Sequence, residues 1–131
     1  MLVGVLSDIH GNKPALDAVL DDLPAVDALV CAGDVVGYNP WPGYCVDTLR
    51  ERDAPTVRGN HDRAVVTDTS FGFNSMAGAG VRYAREHLTD AQFAWLESLP
   101  TEHRSYGIDI VHGHPDDPDR YTYPEEFAAS M

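Results

Sequence analysis

The sequence is poor in lysine, poor in cysteine and free of long apolar runs, and each shortage closes off a class of function. Lys13 is the only lysine among 131 residues, and nine Lys and Arg face 21 Asp and Glu, for a formal net charge of −12. Nonspecific binding to nucleic acid or to an anionic membrane is not expected, because phosphate surfaces reward cationic partners. The two cysteines, Cys31 and Cys45, form no C-x-x-C pair and have no further partners. They read as small buried thiols in a reducing cytosol, not as a zinc site or a disulfide framework. No apolar stretch approaches the roughly 18 residues of a membrane span. Met1 to Gly11 is apolar but lacks a basic leader and meets Asp8 and His10 at once. It reads as a buried strand rather than a signal peptide, and a cytoplasmic location is the expectation. A G-x-S-x-G elbow and a Cys-His arrangement are both missing, so a nucleophilic Ser or Cys mechanism finds no support.

What is present is a globular composition, 44% hydrophobic and 23% charged, enough for one core and a single domain over residues 1–131. The acidic excess is scattered rather than gathered into a tail. A surface rich in Asp and nearly free of Lys suggests a halophilic protein, since salt screens self-repulsion; an ordinary acidic cytosolic protein is the alternative. On the first reading the melting temperature rises with added salt. Thermal unfolding across a wide salt range checks this, and a flat or falling melting temperature leaves the ordinary acidic protein.

Apolar strands alternate with amphipathic helices. Strands are expected at 2–7, 28–32 and 55–58, and a hairpin at 103–106 and 108–111 turning near Gly107. Asn12 caps a helix with Pro14 in its first turn and apolar positions Leu16, Val19, Leu20 and Leu23. Further helices are expected at 44–52, 75–87 and 90–99, the last capped by Thr89 and stopped by Pro100. Pro124, Glu125 and Glu126 are helix-start residues, and the sequence ends about two turns later. This order predicts an α/β fold with a largely parallel first sheet.

Four of the strands run into clusters of potential metal ligands: Asp8-Ile9-His10, Gly33-Asp34, Gly59-Asn60-His61-Asp62 and His112-Gly113-His114. Open α/β sheets bind ligands at the carboxyl ends of their strands, so the clusters are expected to converge in one acidic cleft. Taken singly, Asp8 and Asp34 would read as caps or turn residues, Asn60 as a turn residue, and His10 and His112 as hydrogen-bonded, half-buried histidines. The same placement repeated four times argues for a site. Oxygen donors mixed with imidazole suit manganese, iron, zinc or cobalt.

These four motifs, in this order, resemble the first four of the calcineurin-like metallophosphoesterases. Asp8-Ile9-His10-Gly11-Asn12 and Gly33-Asp34-Val35-Val36-Gly37-Tyr38 are closest to the small bacterial and archaeal phosphodiesterase branch, which is similar to diadenosine tetraphosphatases. The resemblance implies a β-sandwich flanked by helices and two divalent metal ions bridged by Asp34. Asp8 and His10 would complete one metal's set, and Asn60 and His112 the other's. It further implies a metal-bridging hydroxide that attacks phosphorus, with His61 and Asp62 as the catalytic pair: His61 protonating the leaving group and Asp62 orienting it. Manganese is the expected metal, with Fe, Zn, Ni or Co as alternatives, and the partner is a small phosphomonoester or phosphodiester.

The family's fifth motif, Gly-His-x-His, does not occur among the 131 residues. His114 is two residues from His112 and reads as a loop histidine near the site. Most strands of the second sheet are also expected to be missing, which would expose apolar surface and invite a homo-oligomer. The competing reading is therefore a truncated, weakly active or non-catalytic metal-binding domain, and a third is a regulatory module acting with a partner chain. Arg58 and Arg63 flank the third motif as candidate phosphate contacts or surface ion pairs. Tyr38, Trp41 and Tyr44 are candidates for a cleft wall or for core packing.

Overall fold

A computed structural model of the chain describes residues 1–70, 72–114, 116–117 and 119–123. The helix expected from Pro124 onward lies outside the described residues. Within them the order is β1 (Val3–Leu6), α1 (Lys13–Asp22), β2 (Ala28–Cys31), α2 (Pro42–Glu51), α3 (Asn60–Thr67), α4 (Ser75–His87), α5 (Asp90–Ser98), β3 (Glu102–Ser105) and β4 (Ile108–Val111).

β1 and β2 pair in parallel, Val3 with Ala28 through Leu6 with Cys31. The third strand expected over 55–58 is reduced to one parallel bridge, Cys31 to Thr56. Its pairing is nevertheless that of a sheet: the Cys31 N–H donates to Pro55 O at 2.9 Å and the Val57 N–H to Cys31 O at 3.1 Å. Pro55 has no N–H to extend the ladder. β3 and β4 form the expected antiparallel hairpin, turning through Tyr106 and Gly107.

Alternation along the strands sorts side chains onto two faces. Leu6, Leu29 and Cys31 join the main core with Leu16, Val46, Leu49, Val65, Val81 and Leu96 from the helices. Val30, Val57 and Ile110 form a smaller core on the other face, where Val5 is 59% exposed. Both cysteines are buried, and burial pushes each thiol up to about 12, which leaves them inert. Among the described residues no helix is long and apolar enough to cross a membrane.

Caps fix the helices that frame the site. The Asn12 side chain accepts from the Ala15 N–H, a contact worth about 1 kcal/mol. Thr89 and Gln92 cap α5 reciprocally, and the Gln92 amide also donates to Asp47 on α2 at 3.0 Å. α2 starts two residues before its expected beginning, at Pro42, because Pro is well placed in a first turn. α4 lies so close to the loop after β2 that a Cβ on Gly80 would overlap the Tyr38 backbone.

Candidate metal centre

The loops after β1 and β2 are laced together by backbone hydrogen bonds. Asp8 N–H donates to Gly33 O at 2.9 Å, His10 N–H to Asp34 O at 2.8 Å and Gly11 N–H to Val35 O at 2.8 Å. This lacing holds Asp8, His10, Asp34 and Tyr38 at φ of 56°, 50°, 58° and 61°. Left-handed backbone at a residue other than glycine costs about 1–3 kcal/mol, and such strain collects at functional sites. The third loop packs against them with no side chain between. A Cβ on Gly59 would collide with the Asp34 carboxylate, and one on Gly33 would stand 2.8 Å from Gly59 N.

Three loops and the end of β4 thereby bring all five predicted ligands to one place. His10 Nε2 lies 3.5 Å from Asp8 Oδ1 and 3.6 Å from Asp34 Oδ2. His112 Nε2 lies 3.3 Å from the same Asp34 oxygen. One terminal atom of the Asn60 amide is 3.0 Å from His112 Nε2 and 3.1 Å from Asp34 Oδ2. With its NH2 at that position the amide donates to both groups; a cation reverses the preference, since only the amide oxygen ligates. Asp34 is common to two donor clusters, Asp8-Asp34-His112 and His10-Asp34-His61, each with its ligand atoms within 4.8 Å of one another.

The donor chemistry fits divalent cations. Among the described residues no Lys or Arg pairs with Asp8 or Asp34. Asp34 is 3% exposed, so its charge is poorly served by water. His10 Nδ1 faces Val36 O at 3.3 Å and His112 Nδ1 faces Ala32 O at 2.9 Å. A carbonyl only accepts, so both rings donate from Nδ1 and turn Nε2 inward, the nitrogen that would ligate a cation once deprotonated.

Burial opposes charge on both imidazoles, yet the Asp8 and Asp34 carboxylates raise His10 and His112 above the ordinary histidine value. The His10 hydrogen bond holds the Asp8 carboxyl at about 2, against the opposing effect of burial. Burial works against a charged His112, but the Asp34 hydrogen bond and charge outweigh it and raise the ring to about 9. The raised value means that the imidazolium stabilises the metal-free fold fully below the ordinary histidine pKa of 6.5, and that this is lost as pH rises through about 9. A cation must displace that proton, so metal affinity is expected to climb by up to about tenfold per pH unit below pH 9. Titrating manganese into the chain at several pH values checks this; a pH-independent affinity contradicts it.

His61 and Asp62 sit on the first turn of α3, a helix that the strand-and-loop reading of the third motif does not anticipate. His61 is 7% exposed and flanked by two rings, Phe73 at 4.7 Å and Tyr38 at 5.0 Å between centroids. Its edge meets the His10 ring at 4.7 Å. Burial pulls its pKa below the ordinary histidine value. Its Nδ1 is buried without a hydrogen-bond partner, which sets it apart from His10 and His112.

The expectation that Asp62 orients His61 needs correction at this level, because the two side chains do not meet. The Asp62 carboxylate accepts four backbone N–H groups instead: Asp34 at 2.8 Å, Val35 at 2.9 Å, Val36 at 3.2 Å and Gly59 at 2.9 Å. Full burial and the nearby Asp34 charge push its carboxyl up to about 7, against donors that favour the ionised form. Asp62 is a positioning residue that clamps the second motif to the third.

His114 stays out of both donor clusters; it is buried, and its Nδ1 accepts the Asp116 N–H. Tyr38 reaches the site, whereas the Tyr44 hydroxyl donates to Asp17 on α1. Arg63 pairs with Asp119 and lines a cavity of about 780 Å³ beside Asn60. The backbone N–H of Arg58 donates to Pro100 O. Phe73, which flanks His61, escaped the sequence reading; its only sequence signal is an aromatic residue just before the Asn74 cap of α4.

Comparison with known proteins bears on the fold and the family. The chain is 32% identical over 129 residues to the uncharacterised protein MJ0912 of Methanocaldococcus jannaschii, covering 93% of this chain and 53% of that protein. Its fold superposes on the crystal structure of a metallophosphoesterase from Sphaerobacter thermophilus with a TM-score of 0.83 and 38% identity, over 98% of this chain and 54% of that one. The hypothetical protein PH1004 of Pyrococcus horikoshii shares the fold, with a TM-score of 0.82 at 22% identity, over 99% of this chain and 64% of that one. The chain thus spans about half the length of the first two relatives and under two thirds of the third. The calcineurin-like phosphoesterase family model matches residues 1–130, and the chain belongs to that family.

Proposed function

We propose that this chain carries the metal-binding half of a phosphoesterase acting on small phosphomonoesters or phosphodiesters, with Asp8, His10 and Asp34 holding one divalent cation and Asp34, Asn60 and His112 a second. The observation that carries the reading is Asp34, a buried carboxylate whose Oδ2 has His10 Nε2 at 3.6 Å and His112 Nε2 at 3.3 Å. Mixed oxygen and nitrogen donors suit manganese, with iron, zinc, nickel or cobalt as alternatives. Bound cations supply Lewis acidity, an activated water and neutralisation of phosphoryl charge. His61, held between Tyr38 and Phe73 at the rim of the donor set, protonates the leaving alkoxide. Asp62 keeps the Asp34 loop and the start of α3 in register, which maintains the spacing between ligands and proton donor.

A second reading, metal binding with little turnover, draws support from the absence of a Gly-His-x-His sequence in these 131 residues. Each cation would then have only three protein ligands. Turnover of a phosphomonoester and a phosphodiester panel with manganese separates the two. Under the hydrolytic reading the His61→Ala variant loses about 10²–10⁴-fold in kcat while binding the same number of cations. A chain that loads manganese but cleaves nothing supports the second reading.

A further inference from the structure

The histidines of the centre are held in two different ways. The rings of His10 and His112 are tethered through Nδ1, which faces Val36 O in one and Ala32 O in the other. His61 has no such tether. Its Nδ1 is buried without a hydrogen-bond partner, and it packs against Gly37 so closely that a Cβ there would stand 2.7 Å away. Gly37 seals that edge of the ring, which leaves Nε2 to face a reacting group. An untethered imidazole turns about χ2 unless packing stops it, whereas a proton donor must stay aimed.

The packing comes from two rings, Tyr38 and Phe73, each tilted by 34° to the imidazole. Tyr38 also meets the His10 ring, at 5.0 Å, so it touches a metal ligand as well. Among the described rings Phe73 meets only His61. The chain around Phe73 fixes its place: its N–H donates to Ser70 O at 3.0 Å, and the next residue, Asn74, caps α4 by accepting the Ala77 N–H at 2.9 Å. An apolar residue just before a cap often packs on the fourth residue of the helix. Here that residue is Gly78, which has no side chain to receive it. Phe73 is left to His61.

We propose that Phe73 is the positioning residue of His61: its ring, in place of a hydrogen bond to Nδ1, holds the imidazole with Nε2 toward the leaving group. The inference rests on the hydrolytic reading for the part that His61 plays, and one of its two tests needs no turnover. The variants are Phe73→Leu, which removes the ring, and Phe73→Tyr, which keeps it. Phe73 is only partly buried, at the margin of the main core, so leucine leaves the core filled. The first test is turnover of an alkyl phosphate ester by the manganese-loaded chain, since an alkoxide needs a proton to leave. The second is the nuclear magnetic resonance signal of the His61 Cε1–H in the zinc-loaded chain, zinc being diamagnetic; its absence from His61→Ala assigns it.

Phe73→Leu is expected to lower kcat at least about tenfold with KM within about threefold, and Phe73→Tyr to restore kcat to within about threefold of wild type. In a His61→Ala background Phe73→Leu should change kcat by less than about twofold, because the ring then has nothing to hold. The His61 signal should be single and sharp in wild type and Phe73→Tyr, and broadened or split in Phe73→Leu. An unchanged kcat in Phe73→Leu, an equal loss in the His61→Ala background, or a His61 signal that Phe73→Leu leaves unaltered overturns the proposal. A signal that broadens in a chain that cleaves no ester upholds the positioning and overturns only the hydrolytic reading.

Discussion

Replacing Asp62 by alanine is expected to destabilise the chain by at least about 4 kcal/mol, a large share of the 5–15 kcal/mol typical of a domain. The Asp62 carboxylate receives four backbone N–H groups, and Asp34, Val35 and Val36, which supply three of them, are each no more than 3% exposed. A buried donor left without an acceptor costs about 1–3 kcal/mol. Removing a buried carboxylate beside Asp34 returns some of that, so the net is put at the lower end. Asp62→Asn should fall between wild type and alanine, because one oxygen remains while the new NH2 confronts donors. Urea unfolding measures both. A loss below about 1 kcal/mol for alanine would show that the clamp is dispensable. Metal affinity should weaken in the same order, since the clamp holds the loop that carries Asp34.

The helices with side-chain caps were legible in the sequence almost to the residue. Asn12 with Pro14 announces α1, and Thr89 with Pro100 bounds α5, to which the structure adds the Gln92 half of the cap. α4 was legible from its spacing, and the structure adds an Asn74 cap. α3 was hidden because Gly59-Asn60-His61-Asp62 invites reading as a ligand loop. In the structure Asp62 accepts the Gly59 N–H and closes the first turn there. The convergence of Asp8, His10, Asp34, Asn60 and His112 was legible because each follows an apolar strand segment and the fold sends strand ends to one edge.

The relation between His61 and Asp62 could not be found that way. Neighbours on a helix point about 100° apart, so adjacency in sequence keeps their side chains from meeting. The partners that matter lie far away in sequence, at Tyr38 and Phe73 for His61 and at residues 34 to 36 for Asp62. Only packing of α4 and α3 against the β2 loop brings them together.

The measurement closest to the central claim is the number of cations bound by the chain and by its Asp34→Asn variant. Asparagine keeps the shape of Asp34 and can still accept the His61 N–H that donates to Asp34 Oδ1 at 2.9 Å, so the fold should persist by circular dichroism. It removes the charge shared by both donor clusters. Changing even the outer partners of metal ligands costs about 10–100-fold in affinity, so losing a bridging carboxylate should cost at least about 100-fold at both positions. Asp8→Asn, by contrast, should weaken only one. The account predicts two manganese ions per wild-type chain, one tightly held in Asp8→Asn and neither in Asp34→Asn. Two ions bound with undiminished affinity by a folded Asp34→Asn chain would contradict it.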